Sequence, residues 1–250
     1  MSSSPKISVI TVVFNAEKIV GKTIDNVLGQ EYNNLEYIII DGASTDSTLE
    51  IIKSYGDKIS KVISQKDNGI YDAMNTGLAY STGDYVIFMN AGDYFYNSRV
   101  LYEIVTKQPG ADVYYGNTKI IDSNGNEIGD RRHKPPKKLT WKSLQMGMCV
   151  SHQSILARRS LCEAFDIHYK ISSDIDWTIR LLKKCKLIVN TEMYVSKFLE
   201  GGLSSRKQKQ GLRERFEIMQ KHYGLPLTIF NHGRILVRFI IQKFSRNSMT

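Results

Sequence analysis

The chain has 250 residues, a formal net charge of +9, 42% hydrophobic residues and 24% charged residues. That length and composition suit one α/β core with an appendage and exclude a disordered or low-complexity chain. Met1–Pro5 is too short and polar for a signal peptide, no apolar run is long enough to span a bilayer, and Cys149, Cys162 and Cys185 are an odd number without metal-ligand spacing, so a reduced, cytosolic setting is expected.

The charge is divided along the chain. Residues 1–130 carry 10 Lys+Arg against 17 Asp+Glu (−7), and residues 131–250 carry 24 against 8 (+16). Acidic loops can hold a metal, whereas a basic half attracts phosphates, nucleic acid or an anionic surface. Ile7–Phe14 is rich in β-branched residues and reads as a buried first strand. A helix follows from Asn15–Glu17 to about Gln30, with Ile19, Val20, Ile24, Val27 and Leu28 at helical spacing. Leu35–Ile40 is strand two and stops at Asp41-Gly42; Ser44-Thr45-Asp46 caps a helix over Thr48–Tyr55. Ile59–Ser64 is a weaker strand, Asp67-Asn68-Gly69 punctuates, and Ile70–Tyr80 is helical.

Gly83–Asp93 is the pivot of the pattern. An apolar run, Tyr85–Met89, ends abruptly in Asn90-Ala91-Gly92-Asp93, as a central strand of a parallel sheet does. Alternating strands and helices predict a mostly parallel sheet, whose ligands bind beyond the carboxyl ends of the strands. No G-x-G-x-x-G and no G-x-x-x-x-G-K-[ST] is present, which argues against a Rossmann oxidoreductase and a P-loop NTPase. Asp41, Asp67 and Asp93 instead follow three neighbouring strands, a pattern that suits a metal and a nucleotide.

Beyond Asp93 a helix is predicted over Ser98–Thr106, and Val113–Ile121 and Glu127–Asp130 flank the hairpin signal Ser123-Asn124-Gly125-Asn126. Arg131–Lys138 is a basic, proline-interrupted loop without stacking aromatics beside it, so nucleic acid is not an expected partner. Val150–Leu156 reads as a strand carrying His152-Gln153. Ile171–Trp177 opens a helix with Asp174 and Asp176 in its first turn. At i and i+2 the two carboxylates diverge, so they do not form a glycosidase pair.

These motifs together resemble the inverting glycosyltransferases of family 2, over residues 6 to 200. They are Ser8–Asn15, Ile40–Asp46, Asp67–Asn75, Asn90–Asp93, His152-Gln153 and Ser173-Asp174, in the family's order. The third and fourth look like the branch found in bacterial capsule and exopolysaccharide pathways. The resemblance implies a GT-A fold, divided into a nucleotide-sugar-binding half (1–97) and an acceptor half (98–204), followed by a helical tail (205–250). It implies that Val12 and Phe14 line the base pocket, Asp41 contacts the base, Asp67 lies near the ribose, and Asn90 and Gly92 border the donor. Asp93 would hold Mg²⁺ or Mn²⁺ on the diphosphate, and Asp174 would be the base that deprotonates the acceptor hydroxyl. His152, Gln153 and Trp177 would stand on the acceptor side. The donor would be a nucleoside-diphosphate sugar, with UDP the expected nucleotide, and the acceptor a glycan or a polyprenyl-diphosphate-linked sugar. Asn90 and Gly92 stand where many members carry Asp, and Ser173 where many carry Glu, so the metal would rest on few protein ligands. The alternative is a non-catalytic nucleotide-sugar-binding protein.

Ser205–His222 reads as a charged helix, broken at Gly224-Leu225-Pro226. A last helix over Leu227–Phe244 sets Ile235, Leu236, Val237, Phe239, Ile240, Ile241 and Phe244 against Arg234, Arg238 and Gln242. A wide apolar face with a cationic stripe suits peripheral contact with an anionic membrane through 225–250, on the cytoplasmic face. The other reading packs it on the catalytic domain or on a second subunit as a homodimer.

Overall fold

The computed structural model describes residues 4–201 and 207–235. Four strands, β1 (Ile7–Val13), β2 (Leu35–Asp41), β3 (Lys61–Ser64) and β4 (Tyr85–Phe88), form a parallel half-sheet in the order β3-β2-β1-β4. The sheet continues through β8 (Ile155–Arg158), β6 (Val113–Ile121), β9 (Ile188–Leu199) and β5 (Tyr94–Phe95), with β7 (Glu127–Asp130) paired to β6. β8 runs antiparallel to both β4 and β6, while β6 and β9 are parallel. The expected mostly parallel order holds throughout the first half, and beyond β4 the sheet is mixed, with β6 and β9 the parallel pair there.

The period-two alternation along each strand sorts its residues into two cores. Ile10, Val12, Ile38, Ile40 and Phe88 face helices α3 (Ile70–Tyr80), α5 (Ser173–Lys184) and α6 (Gln208–Tyr223). Val9, Val13, Tyr37, Ile39 and Ile87 face α1 (Val20–Leu28), α2 (Thr48–Ser54) and α4 (Val100–Lys107). Because β1, β2 and β3 share register at Val13, Asp41 and Ser64, the loops after all three leave from one edge.

Several expectations shift. The first helix begins at Val20 rather than at Asn15–Glu17. Asn15 is instead left-handed (φ 47°), and its Oδ1 accepts from Thr45 N–H at 2.8 Å, which ties the loop after β1 to the loop after β2. The strand expected over Val150–Leu156 is a 3₁₀ turn at His152–Ser154 followed by β8. β9 has no counterpart in the sequence reading.

The charged helix of the tail, α6, belongs to the main core: Ile218 and Met219 are fully buried on α5's side of the sheet. Asp176 anchors it, accepting from Arg180 Nε (2.7 Å), Lys221 Nζ (3.1 Å) and His222 Nε2 (2.8 Å). Burial alone would raise the Asp176 carboxyl, but His222, Arg180 and Lys221 hold it well below the usual carboxylate range. Residues 225–235 are helical, and the rest of the predicted last helix, 236–244, lies outside the described residues. Among the described residues no helix is long and apolar enough to cross a membrane.

Candidate active site

The strand-end loops bring together the residues expected on the donor side. Phe14 follows β1 and is 61% exposed, a large aromatic face left in solvent. It stands against Gly42, where a Cβ would come 3.3 Å from Phe14 Cδ2 and 2.6 Å from Asp67 Oδ2. Glycine at 42 thus leaves room for Phe14 and Asp67 to meet over bare backbone, forming an aromatic wall and a carboxylate corner. Asp67 keeps Oδ2 on that side while Oδ1 accepts from Gly69 N–H at 2.8 Å. Val12 is buried beneath in the sheet core.

Asp41 differs from expectation. It is fully buried, and its oxygens accept from Ser44 N–H (3.1 Å), Ser44 Oγ (2.5 Å) and Ser64 Oγ (2.6 Å). Its carboxylate clamps the loop after β2 onto β3, and a base contact would have to displace one of these partners. Ala43, at φ 60°, is held in the left-handed region by the same loop. A non-glycine residue there is strained, and such strain gathers at ligand clamps.

The turn after β4 forms the centre of a cleft of about 450 Å³, lined among others by Tyr71, Asn90, Asp93, Arg131, His152, Gln153 and Asp174. Gly92 adopts φ 97°, and a Cβ there would lie 2.8 Å from Leu199 Cδ2, so the tight turn requires glycine. Asp93 is 5% exposed; Oδ2 accepts from Gln153 Nε2 (2.7 Å) and Oδ1 from Leu199 N–H (3.1 Å). Burial pushes its pKa up to about 6 against the lowering effect of those two donors. Gln153, expected on the acceptor side, is thus the support of Asp93.

Asn90 Nδ2 donates to His152 Nε2 at 3.3 Å, which leaves His152 Nδ1 to carry its proton toward Asp174 Oδ2, 3.4 Å away. Asp174 Oδ1 accepts from Ile175 N–H (3.0 Å) and lies 3.2 Å from Tyr71 Oη, whose single proton is shared with Ile171 O at 2.9 Å. Burial pushes the Tyr71 hydroxyl well above its ordinary pKa, so it stays a donor. The backbone just before α5 is fixed from α6: Glu214 accepts from Lys170, Ile171 and Ser172 N–H at 3.0, 2.8 and 2.9 Å. Trp177 lies outside the cleft, 2% exposed, stacked on Phe165 and edge-on to Phe88. Its expected acceptor contact is corrected to a core role. Tyr71, Arg131 and Glu214 were missed as site residues. Tyr71 had a signal, its place in the quoted motif on α3; Glu214 had none, since 42 residues separate it from Ser172.

Among the described residues no group of three His, Cys, Asp or Glu is placed to share a metal ion. Asn90 Oδ1, however, is buried without a partner. One carboxylate and one uncommitted amide oxygen in the same turn fit a hard cation that takes most of its ligands from phosphates and water.

A cleft at the carboxyl edge of a parallel half-sheet, with a mixed extension beyond β4 and the Asp174 carboxylate at the start of α5 opposite, defines a GT-A-like fold. The family model for glycosyl transferase family 2 matches residues 8–165, and the chain belongs to that family. It is 25% identical over 238 residues to a PGL/p-HBAD biosynthesis glycosyltransferase of Mycobacterium bovis (strain BCG / Pasteur 1173P2), covering 91% of this chain and 90% of that protein. An uncharacterized glycosyltransferase of Haemophilus influenzae is 27% identical over 242 residues, 91% and 96% of the two chains. Among solved structures, S. aureus TarS 1-349 in complex with UDP-GlcNAc superposes with a TM-score of 0.70 at 20% identity. The match covers 86% of this chain and 64% of TarS 1-349, so the present chain spans less than two thirds of that one. The mannosyltransferase PcManGT from Pyrobaculum calidifontis, in complex with GDP-Man and Mn²⁺, matches with a TM-score of 0.64 at 14% identity, over 100% and 82%. The chain is a family 2 glycosyltransferase.

Proposed function

We propose that this enzyme moves a sugar from a nucleoside-diphosphate sugar, UDP the expected nucleotide, to a hydroxyl of a glycan or polyprenyl-diphosphate-linked acceptor, with inversion. The observation that carries the reading is the shared cleft in which Asp93 and Asn90 face the same space as His152 and Asp174. Phe14 offers a stacking face for the base, and Asp67 Oδ2 an acceptor for a ribose hydroxyl. Mg²⁺ or Mn²⁺ would be held by Asp93 and the Asn90 carbonyl oxygen together with the donor phosphates, supplying positive charge where the diphosphate leaves. S. aureus TarS with UDP-GlcNAc, and PcManGT from Pyrobaculum calidifontis with GDP-Man and Mn²⁺, hold a donor and a cation of the same class. The name of the mycobacterial relative supports a surface-glycan or lipid acceptor.

Asp174 takes the acceptor proton as the hydroxyl attacks the anomeric carbon from the face opposite the leaving group. One base and one displacement give inversion. His152 and Tyr71 hold the carboxylate by its two oxygens and keep it aimed into the cleft. Asp174→Asn keeps the shape and removes the base. Steady-state kinetics should show kcat falling by roughly 10²–10⁴-fold with the dissociation constant for the nucleotide unchanged. Turnover equal to that of the parent would remove Asp174 from the role of base.

The reading extends to the cytoplasmic face of a membrane as the site of action. In the helix over 225–235, Leu225, Leu227, Ile229 and Phe230 are exposed while Thr228 and Asn231 are buried. An apolar face turned to solvent at the start of a basic segment supports peripheral attachment.

A further inference from the structure

A second cavity, of about 590 Å³, opens beside the cleft and shares with it Arg131, Ile171 and Asp174. None of Phe14, Asp67, Asn90 and Asp93 lines it, so it lies off the donor side. Its walls carry two guanidinium groups in an unusual condition. Arg131, just after β7, donates from Nη2 only to Met148 O at 3.4 Å, and its Nη1 is buried without a partner. Arg215, on α6, lies along Gly147, and its Nε is likewise buried without a partner. Neither forms an ion pair with the described residues. Arg131 feels the Asp174 charge at a distance, and Arg215 has burial as its sole perturbation, which pushes its pKa down.

Buried cationic nitrogens are ordinarily partnered, and leaving Arg131 Nη1 and Arg215 Nε without partners on one cavity costs stability. A ligand that supplies several anionic oxygens removes that cost. Two guanidinium forks from different elements suit a phosphate, which offers oxygens in more than one plane, better than a carboxylate, which one fork satisfies. Met146, Met148 and Leu212 line the same space and leave it amphipathic.

We infer that this cavity binds a phosphate or diphosphate group of the acceptor, gripped by Arg131 and Arg215. The inference rests on the proposed role of Asp174, because the molecule whose hydroxyl reaches that carboxylate is the one that extends into the cavity beside it. Arg131 stands at the junction of the two spaces, whereas Arg215 lines only the second, so Arg215 is the residue to vary.

Inorganic pyrophosphate, and glucuronate as a carboxylate probe, are titrated calorimetrically into the full chain already saturated with nucleoside diphosphate at fixed excess Mg²⁺. Pyrophosphate should bind beside the nucleotide. Arg215→Gln should weaken it about 10- to 100-fold, the loss of one or two charge-assisted hydrogen bonds, and Arg215→Lys should weaken it less. Neither variant should change nucleotide affinity, and Arg215→Gln, which removes an unpaired buried charge, should not lower the melting temperature. Pyrophosphate binding that occurs only in place of the nucleotide, an unchanged affinity in Arg215→Gln, or glucuronate binding as tightly as pyrophosphate would overturn the assignment. Failure of any nucleotide to bind would strike the donor reading and leave the pyrophosphate comparison of parent and variant intact.

Discussion

Asp93 is where function and stability pull in opposite directions. Its carboxyl is buried in the turn after β4 with two hydrogen-bond donors and no Lys or Arg paired to it among the described residues, and burial lifts its pKa from 3.8 to about 6. The folded chain therefore holds a proton that the unfolded chain releases. Stability is unaffected below about pH 4, falls as pH rises through the window between 3.8 and 6, and carries the full cost above it. That cost is on the order of 3 kcal/mol. Asp93→Asn, neutral at every pH, should be more stable than the parent above pH 6 by up to that amount, less what the changed Gln153 contact loses, and the difference should vanish near pH 4. Urea unfolding from pH 4 to 8 measures it, and a deficit in the variant independent of pH would show that the buried charge is not what Asp93 costs the fold. The proposed cation would relieve the same cost by pairing the buried charge.

At the scale of elements, the strands and helices with strong periodicity were legible in the sequence. β1, β2, β6, β7 and α3 fall where β-branched runs, the hairpin signal and helical spacing put them. The acceptor half was less so. β9 interleaves polar residues with apolar ones, carries Glu192 at φ 61°, and pairs with β6 through two register shifts, so it presents no clean alternation. His152 and Gln153 read as strand because the apolar residues around them are buried, yet a 3₁₀ turn carries them. The candidate carboxylates were visible as strand-end and helix-start residues. Their environments were not, because Ser64 on Asp41, Gln153 on Asp93 and Glu214 behind Asp174 are contacts across 23 to 60 residues of chain. The tail divides in the same way. α6 packs through Asp176 and Glu214, whereas the helix after it exposes Ile229 and Phe230. Replacing both by serine should leave the fold intact and lower the partition onto anionic liposomes by about 100-fold or more at fixed ionic strength, read by co-sedimentation, each buried apolar side chain contributing roughly 1.5–3 kcal/mol. Undiminished binding by the double variant would take this face out of membrane attachment.

Across the whole molecule, the charge asymmetry becomes spatial. The acidic first half supplies Asp67 and Asp93 to the proposed donor and cation site, and the basic second half supplies Arg131 and Arg215 on the other side of Asp174. α3 joins the two, leading from Asp67 just before it to Tyr71 beside Asp174, and Glu214 of α6 fixes the backbone that leads to Asp174. The central claim is that this scaffold binds a nucleoside diphosphate through a divalent ion. The most direct test is a thermal-shift panel of UDP, GDP, dTDP and CMP, each with Mn²⁺, Mg²⁺ or EDTA. A diphosphate at 100 times its dissociation constant stabilises the fold by about 2.7 kcal/mol, which for a chain of this size is a rise of roughly 5–10 °C. The account predicts that rise for one diphosphate, its loss in EDTA, and its loss in Asp93→Ala. No response to any nucleotide, with or without metal, would contradict it.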